Sequence, residues 1–89
     1  MPKTVQRITI YTTSACPYCV AAKALLRKKG AAFDEIDVES QLELRRAMQQ
    51  RAAGRYTVPQ IFIGETHVGG CDDLHELDAA GRLDPLLAG

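Results

Sequence analysis

Two cysteines separated by two residues, Cys16-Pro17-Tyr18-Cys19, stand where an extended apolar run ends and a helical run begins. That junction limits what the chain can fold into. Upstream, Val5, Ile8 and Ile10 sit among polar neighbours in a run ending at Thr12, the pattern of a strand. Thr13-Ser14-Ala15 reads as the turn that presents Cys16. Downstream, Val20–Lys29 reads as a helix, with Ala21, Ala24, Leu25 and Lys28 marking one side, Val20 adjoining it, and Lys23 and Arg27 facing water. Pro17 fits the first helical turn, where its missing N–H costs nothing. Gly30 suits the position after the helix, and Arg27, Lys28 and Lys29 suit the negative end of its dipole. Phe33 to Val38 then alternates through Ile36 and Val38 as a second strand. Two strands joined by such a helix form a right-handed unit with parallel strands.

The remaining chain adds a second layer of helices and an antiparallel pair. Ser40 with Glu43 has capping-box spacing, Leu44, Met48 and Ala52 recur every four residues, and Gly54 ends that helix. Val58-Pro59 is expected to be extended, because proline excludes its predecessor from the α region. Gln60–Ile63 is an apolar third strand, Gly64-Glu65 offers a two-residue hairpin turn, and Thr66–Val68 returns as a short fourth strand. Gly69-Gly70 opens a loop into a helix from about Asp72 to Ala80, with Leu74 and Leu77 on its buried side and Gly81 as its stop. Asp84-Pro85 can start a last helical turn carrying Leu86 and Leu87. The order βαβαββα predicts an α/β fold: a four-stranded mixed sheet flanked by helices on both faces.

Composition narrows the function. Eleven basic and eleven acidic residues leave no net charge, so nothing draws the chain to nucleic acid or an anionic membrane. No apolar run approaches the ~18 residues of a membrane span, and the N-terminus has no signal-peptide core. A chain of 89 residues is expected to be one domain, 1–89. Three cysteines argue against a secreted disulfide scaffold, so a cytoplasmic, reducing location is expected.

In such a compartment a CxxC pair is catalytic or metal-binding. A thiol at a helix N-terminus lies in the field of unpaired backbone N–H groups, which favours the thiolate, the nucleophile of disulfide exchange. Cys16 precedes the helix and is the candidate nucleophile; Cys19, inside the first turn and less exposed, is the candidate resolving thiol. The competing reading is a structural pair, or half a zinc site completed by His67, Cys71 or His75. Structural zinc takes four ligands, usually as two close pairs. Residues 67, 71 and 75, split between a strand, a loop and a helix, make a poor second pair, so no metal is expected. His67 and His75 read as surface residues, since disulfide exchange needs no dedicated histidine.

Three stretches in order resemble the dithiol glutaredoxins of the thioredoxin superfamily: the CPYC quartet, Thr57-Val58-Pro59 within TVPQIFI, and Gly69-Gly70-Cys71-Asp72-Asp73 within GGCDDL. The resemblance covers nearly the whole chain and implies the thioredoxin-like fold. It implies that Pro59 follows a cis bond facing the cysteines, leaving the N–H and C=O of Val58 to pair with an extended substrate backbone. Glutathione would add there as a short antiparallel strand. It further implies that the loop around Gly70 holds the γ-glutamyl end of glutathione. Cys71 and Asp72 would supply backbone N–H groups to the carboxylate, and an aspartate side chain, Asp73 in preference to Asp72, would take the ammonium. Cys71 itself reads as structural or as a bystander. Many family members carry a lysine three residues before the nucleophile, where Thr13 stands here. Arg51 matches a family position held by glutamine or arginine and is the candidate to hold the glycine carboxylate of glutathione in that lysine's stead. Tyr18 is expected on the exposed rim, and Tyr11 to pack.

The resemblance implies a glutathione-dependent thiol–disulfide oxidoreductase that reduces protein–glutathione mixed disulfides and protein disulfides. Its potential would fall in the family range of about −200 to −230 mV. Glutathione is the reducing co-substrate, no cofactor is tightly bound, and the chain is expected to be monomeric. Ribonucleotide reductase is an electron acceptor implied by family precedent. Two other readings stay open on sequence: a glutathione-ligated iron–sulfur cluster scaffold, which the Pro17-Tyr18 pair and a second cysteine disfavour, and a thioredoxin-like reductase, which the GGCDD loop disfavours.

Overall fold

Extended segments rich in β-branched residues alternate with helices, and the sheet sorts them by face. The computed structural model describes residues 7–88, so the expectation for Val5 falls outside the described residues. The elements are β1 (Ile8–Thr12), α1 (Pro17–Lys28), β2 (Asp34–Asp37), α2 (Leu42–Arg51), β3 (Gln60–Ile63), β4 (Thr66–Gly69), α3 (Cys71–Ala79) and α4 (Leu83–Ala88). The strand order is β2-β1-β3-β4. β1 runs parallel to β2, with Tyr11 opposite Ile36, and antiparallel to β3, with Ile10 opposite Ile61. β3 and β4 pair antiparallel with a register irregularity between Ile61 and Phe62. The expected mixed, four-stranded sheet is observed, with α4 as a full short helix where a last turn was expected.

Period-two alternation divides the core. Ile8, Ile10, Ile61 and Ile63 face α1, α3 and α4, packing on Ala22, Leu25, Leu26, Leu74, Leu83 and Leu87. Tyr11, Phe62 and Val38 face the other way, onto Met48 and Ala52 at α2. Lys29, the C-cap of α1, ties the first layer together: its Nζ lies 2.7 Å from Asp78 of α3 and 3.0 Å from Asp84 of α4. Among the described residues no helix is long and apolar enough to cross a membrane.

Two local expectations are corrected. The buried face of α1 is Cys19, Ala22, Leu25 and Leu26, whereas Ala21, Ala24 and Lys28 are exposed. Alanines at 21, 22 and 24 blur the hydrophobic gradient, and the inward-facing Cys19 sets the helix phase instead. Lys23 reaches Glu35 at 2.9 Å and is only partly exposed. The N-cap of α2 is Gln41, not Ser40, with no side-chain cap bond. That one-residue shift places Glu43 at the second helical position, so the capping box does not form.

Candidate functional site

Thr12 is the last residue of β1, an interior strand, at the end from which the chain turns into α1. Its hydroxyl donates to Glu35 at 2.7 Å, and its carbonyl accepts from Val38 N–H at 2.9 Å. The turn itself is pinned from β2's exit: Ser14 gives both its backbone N–H (3.1 Å) and its hydroxyl (2.7 Å) to Glu39 Oε1. Cys16 follows as the N-cap of α1, with extended dihedrals (φ −124°, ψ 102°) and Pro17 behind it at the first helical position. Its Sγ accepts the Cys19 N–H at 3.0 Å, and no acidic residue occupies the first turn to offset the dipole. Once the sulfur is reduced, that donor and the helix dipole favour its thiolate form. The Cys16 and Cys19 sulfurs are joined as a disulfide, Cα atoms 5.2 Å apart. Cys19 is 1% exposed and Cys16 8%, the order expected for an inner and an outer thiol.

Across from the pair lies the segment before β3. The Val58-Pro59 peptide is cis, as the resemblance implied, and Val58 O stands 3.8 Å from Cys16 Sγ. Among the described residues nothing hydrogen-bonds to the Val58 N–H. Beside this segment opens a cleft of about 420 Å³ lined by Tyr18, Arg55, Thr57, Val58, Pro59, Gly70, Cys71, Asp72, Asp73 and Glu76. Eight of those positions were expected from sequence: Tyr18, Thr57, Val58, Pro59, Gly70, Cys71, Asp72 and Asp73. Tyr18 is 64% exposed, on the rim.

The far wall is the start of α3. Gly69 takes φ +112°, where a side chain is strained, and a Cβ there would run into the Asp73 carboxylate. Asp73 Oδ2 accepts the Gly70 N–H at 2.9 Å, the half of a capping box available to a glycine N-cap. The N–H groups of Cys71 and Asp72 fall in the first turn, where helices leave donors without intrahelical partners. Cys71 and Asp72 both line the cleft, and a helix N-terminus is a natural seat for a carboxylate. Cys71 itself is buried, its Sγ 3.3 Å from His75 Nδ1, and burial followed by the nearby Asp72 charge pushes its thiol pKa up.

Arg51 does not line the cleft. Its guanidinium stacks over Phe62 at 4.1 Å, donates to Tyr11 Oη at 3.3 Å and reaches Gly64 O at 3.5 Å. As the last residue of α2 it lies over the core packed beneath that helix, which draws it to the aromatic face. Arg55 does line the cleft, at its α3 end, with its Nη1 3.5 Å from Asp73 Oδ2. Only its closeness to Thr57 hinted at this. His67 is also corrected: it is half-buried, stacked on Phe62 at 4.8 Å and 2.7 Å from Gln60 Oε1. Burial, then the charge of Arg55, lowers its pKa.

A mixed sheet in the order 2-1-3-4, a CxxC disulfide at the N-terminus of the first helix and a cis-proline opposite it define a thioredoxin-fold thiol oxidoreductase. The family comparison is direct: the family model for glutaredoxin matches residues 8–68, and the chain belongs to the glutaredoxin family, whose members are glutathione-dependent. It is 60% identical over 81 residues to glutaredoxin of Pseudomonas aeruginosa, covering 91% of this chain and 95% of that one. It is 55% identical over 80 residues to glutaredoxin 3 of Escherichia coli K12, covering 90% and 95%. The solution structure of glutaredoxin from Brucella melitensis superposes with a TM-score of 0.85 at 56% identity, covering 99% and 95%. The crystal structure of a buckwheat glutaredoxin–glutathione complex gives 0.83 at 32% identity, covering 92% and 76%.

Proposed function

We propose that this oxidoreductase reduces protein–glutathione mixed disulfides and protein disulfides in the cytoplasm as a monomeric, one-domain enzyme. In the first reaction the Cys16 thiolate attacks the glutathione sulfur of the mixed disulfide. A Cys16–glutathione bond forms, and the protein sulfur leaves as a thiolate that takes up a proton. The thiolate of a second glutathione then attacks the Cys16-bound glutathione sulfur, releasing glutathione disulfide and regenerating Cys16. With a protein disulfide, Cys16 forms the mixed disulfide and Cys19 attacks Cys16, expelling the reduced product and leaving Cys16–Cys19 oxidised until glutathione reduces it.

The observation that carries this reading is the cleft that begins at Val58 and ends at the α3 N-terminus. A glutathione bound there presents its cysteine backbone to Val58 and its γ-glutamyl carboxylate to the N–H groups of Cys71 and Asp72. Asp73 is assigned to the ammonium: both of its protein contacts use Oδ2, leaving Oδ1 for the ligand. Arg55, resting against Asp73, adds positive charge at the same end. Tyr18, Thr57, Pro59 and Gly70 complete the walls. Arg51 is left out of the ligand set because its guanidinium is committed to Phe62 and Tyr11.

The test is glutathione-dependent reduction of a small glutathione mixed disulfide by wild type, Cys16→Ser and Cys19→Ser. Turnover by wild type and Cys19→Ser, with none by Cys16→Ser, is the expected result. Turnover by Cys16→Ser at the wild-type rate would overturn the assignment.

A further inference from the structure

Gln60 is 0% exposed, yet it carries a primary amide into the core at the start of β3. An amide at that depth is costly unless both of its ends are bonded. Both are. Gln60 Nε2 donates to Thr57 Oγ1 at 3.2 Å, and Gln60 Oε1 lies 2.7 Å from His67 Nε2. An amide oxygen only accepts, so the imidazole must place its proton on Nε2 and donate. The imidazole is held by stacking on Phe62. A hydroxyl has one proton. Because Thr57 Oγ1 receives the amide N–H, its own proton is released from the interior and points away from Gln60. Thr57 lines the cleft.

We infer that His67 and Gln60 are positioning residues that set the polarity of Thr57: the relay His67 → Gln60 → Thr57 presents the threonine hydroxyl to the cleft as a donor, for a carbonyl or carboxylate oxygen of glutathione. The inference rests on the proposed glutathione site and adds a direction to it. The amide is what gives the relay its sense. A carboxylate at the same position accepts from both neighbours, so Thr57 would spend its proton inward and offer the ligand only lone pairs. Neither His67 nor Gln60 lines the cleft, so they act only through Thr57.

The experiment measures binding of S-methylglutathione by calorimetry, which needs no free thiol on either side. Thr57→Val should weaken binding about 3- to 10-fold, the worth of one hydrogen bond, and Thr57→Ser should restore most of it. Gln60→Glu should weaken binding at least as much, and should have no further effect in a Thr57→Val background. If Gln60→Glu fails to fold, His67→Phe serves instead: it keeps an aromatic ring on Phe62 and removes the donor, with the same dependence on Thr57. Equal losses from Gln60→Glu or His67→Phe in the presence and absence of the Thr57 hydroxyl would overturn the relay, as would wild-type affinity in Thr57→Val. Wild type that does not bind S-methylglutathione would refute the glutathione site itself, and the relay with it.

Discussion

Replacing Gly69 with alanine tests how tightly the cleft's far wall is built. Two costs add. Gly69 has φ +112°, and holding an alanine there costs ~1–3 kcal/mol. The new Cβ also collides with Asp73 Oδ2 and comes within 2.9 Å of Arg55 Nη1. The carboxylate must move, and its bond to the Gly70 N–H is then lost, worth about 1 kcal/mol. The sum is about 2–4 kcal/mol, a large share of the stability of a small domain. Gly81→Ala is the matched control: φ is +73°, but nothing lies within 4 Å of the added Cβ, so only the backbone cost of ~1–2 kcal/mol applies. Urea unfolding of both variants, oxidised and with matched slopes, gives the comparison. Repeating Gly69→Ala in an Asp73→Ala background should remove the steric part and leave the backbone part. Gly69→Ala no more damaging than Gly81→Ala, or equally damaging with and without Asp73, would refute the close-approach argument.

Three further outcomes are expected. Glu35 has its pKa lowered by the Thr12 hydroxyl first and Lys23 second, so its folded value lies below its unfolded value; its stabilising contribution is present above the ordinary glutamate range and is lost as pH falls through the folded pKa. Gln in its place should flatten the acid limb of a stability–pH curve, and an unchanged limb would count against the pairing. Leu74→Ala, at a fully buried position of α3, should cost about 2–5 kcal/mol in chemical unfolding, and a loss under ~1 kcal/mol would mean the two sheet faces are packed otherwise. Arg55→Ala should weaken S-methylglutathione binding while Arg51→Ala leaves it within about twofold, a ranking that reverses if Arg51 holds the ligand.

The parts of the site written as local chemistry were legible in the sequence. Cys16, Pro17 and Cys19 carry their geometry in their own backbone rules, and Val58-Pro59 announces an extended segment by sterics. Gly69-Gly70 ahead of two aspartates marks a helix start with room for an anion. What was not legible depends on contacts between distant segments. Glu39 pinning Ser14, Arg55 resting on Asp73, and the contacts among Thr57, Gln60 and His67 join residues whose types are common on any surface. Even inside one helix the phase of α1 could not be read from alanines, which tolerate water and core alike.

The division of the core has a dynamic consequence. α1, α3 and α4 share one packed layer and are cross-tied at Lys29, whereas α2 buries only Met48 within its own length. Regions with little buried apolar surface open at lower free energy than the whole molecule. α2 is therefore the segment whose amides should exchange with solvent by partial opening, while β1, β3 and α1 exchange only when everything unfolds. Arg45 of α2 holds the Tyr56 carbonyl at 2.8 Å, one residue before Thr57. Opening of α2 would free the Tyr56 carbonyl, while Thr57 beside it stays tied to the buried Gln60. The nucleophile thus stands on the thickly packed side of the sheet, while the segment that forms the cleft's other wall borders the thinly packed side.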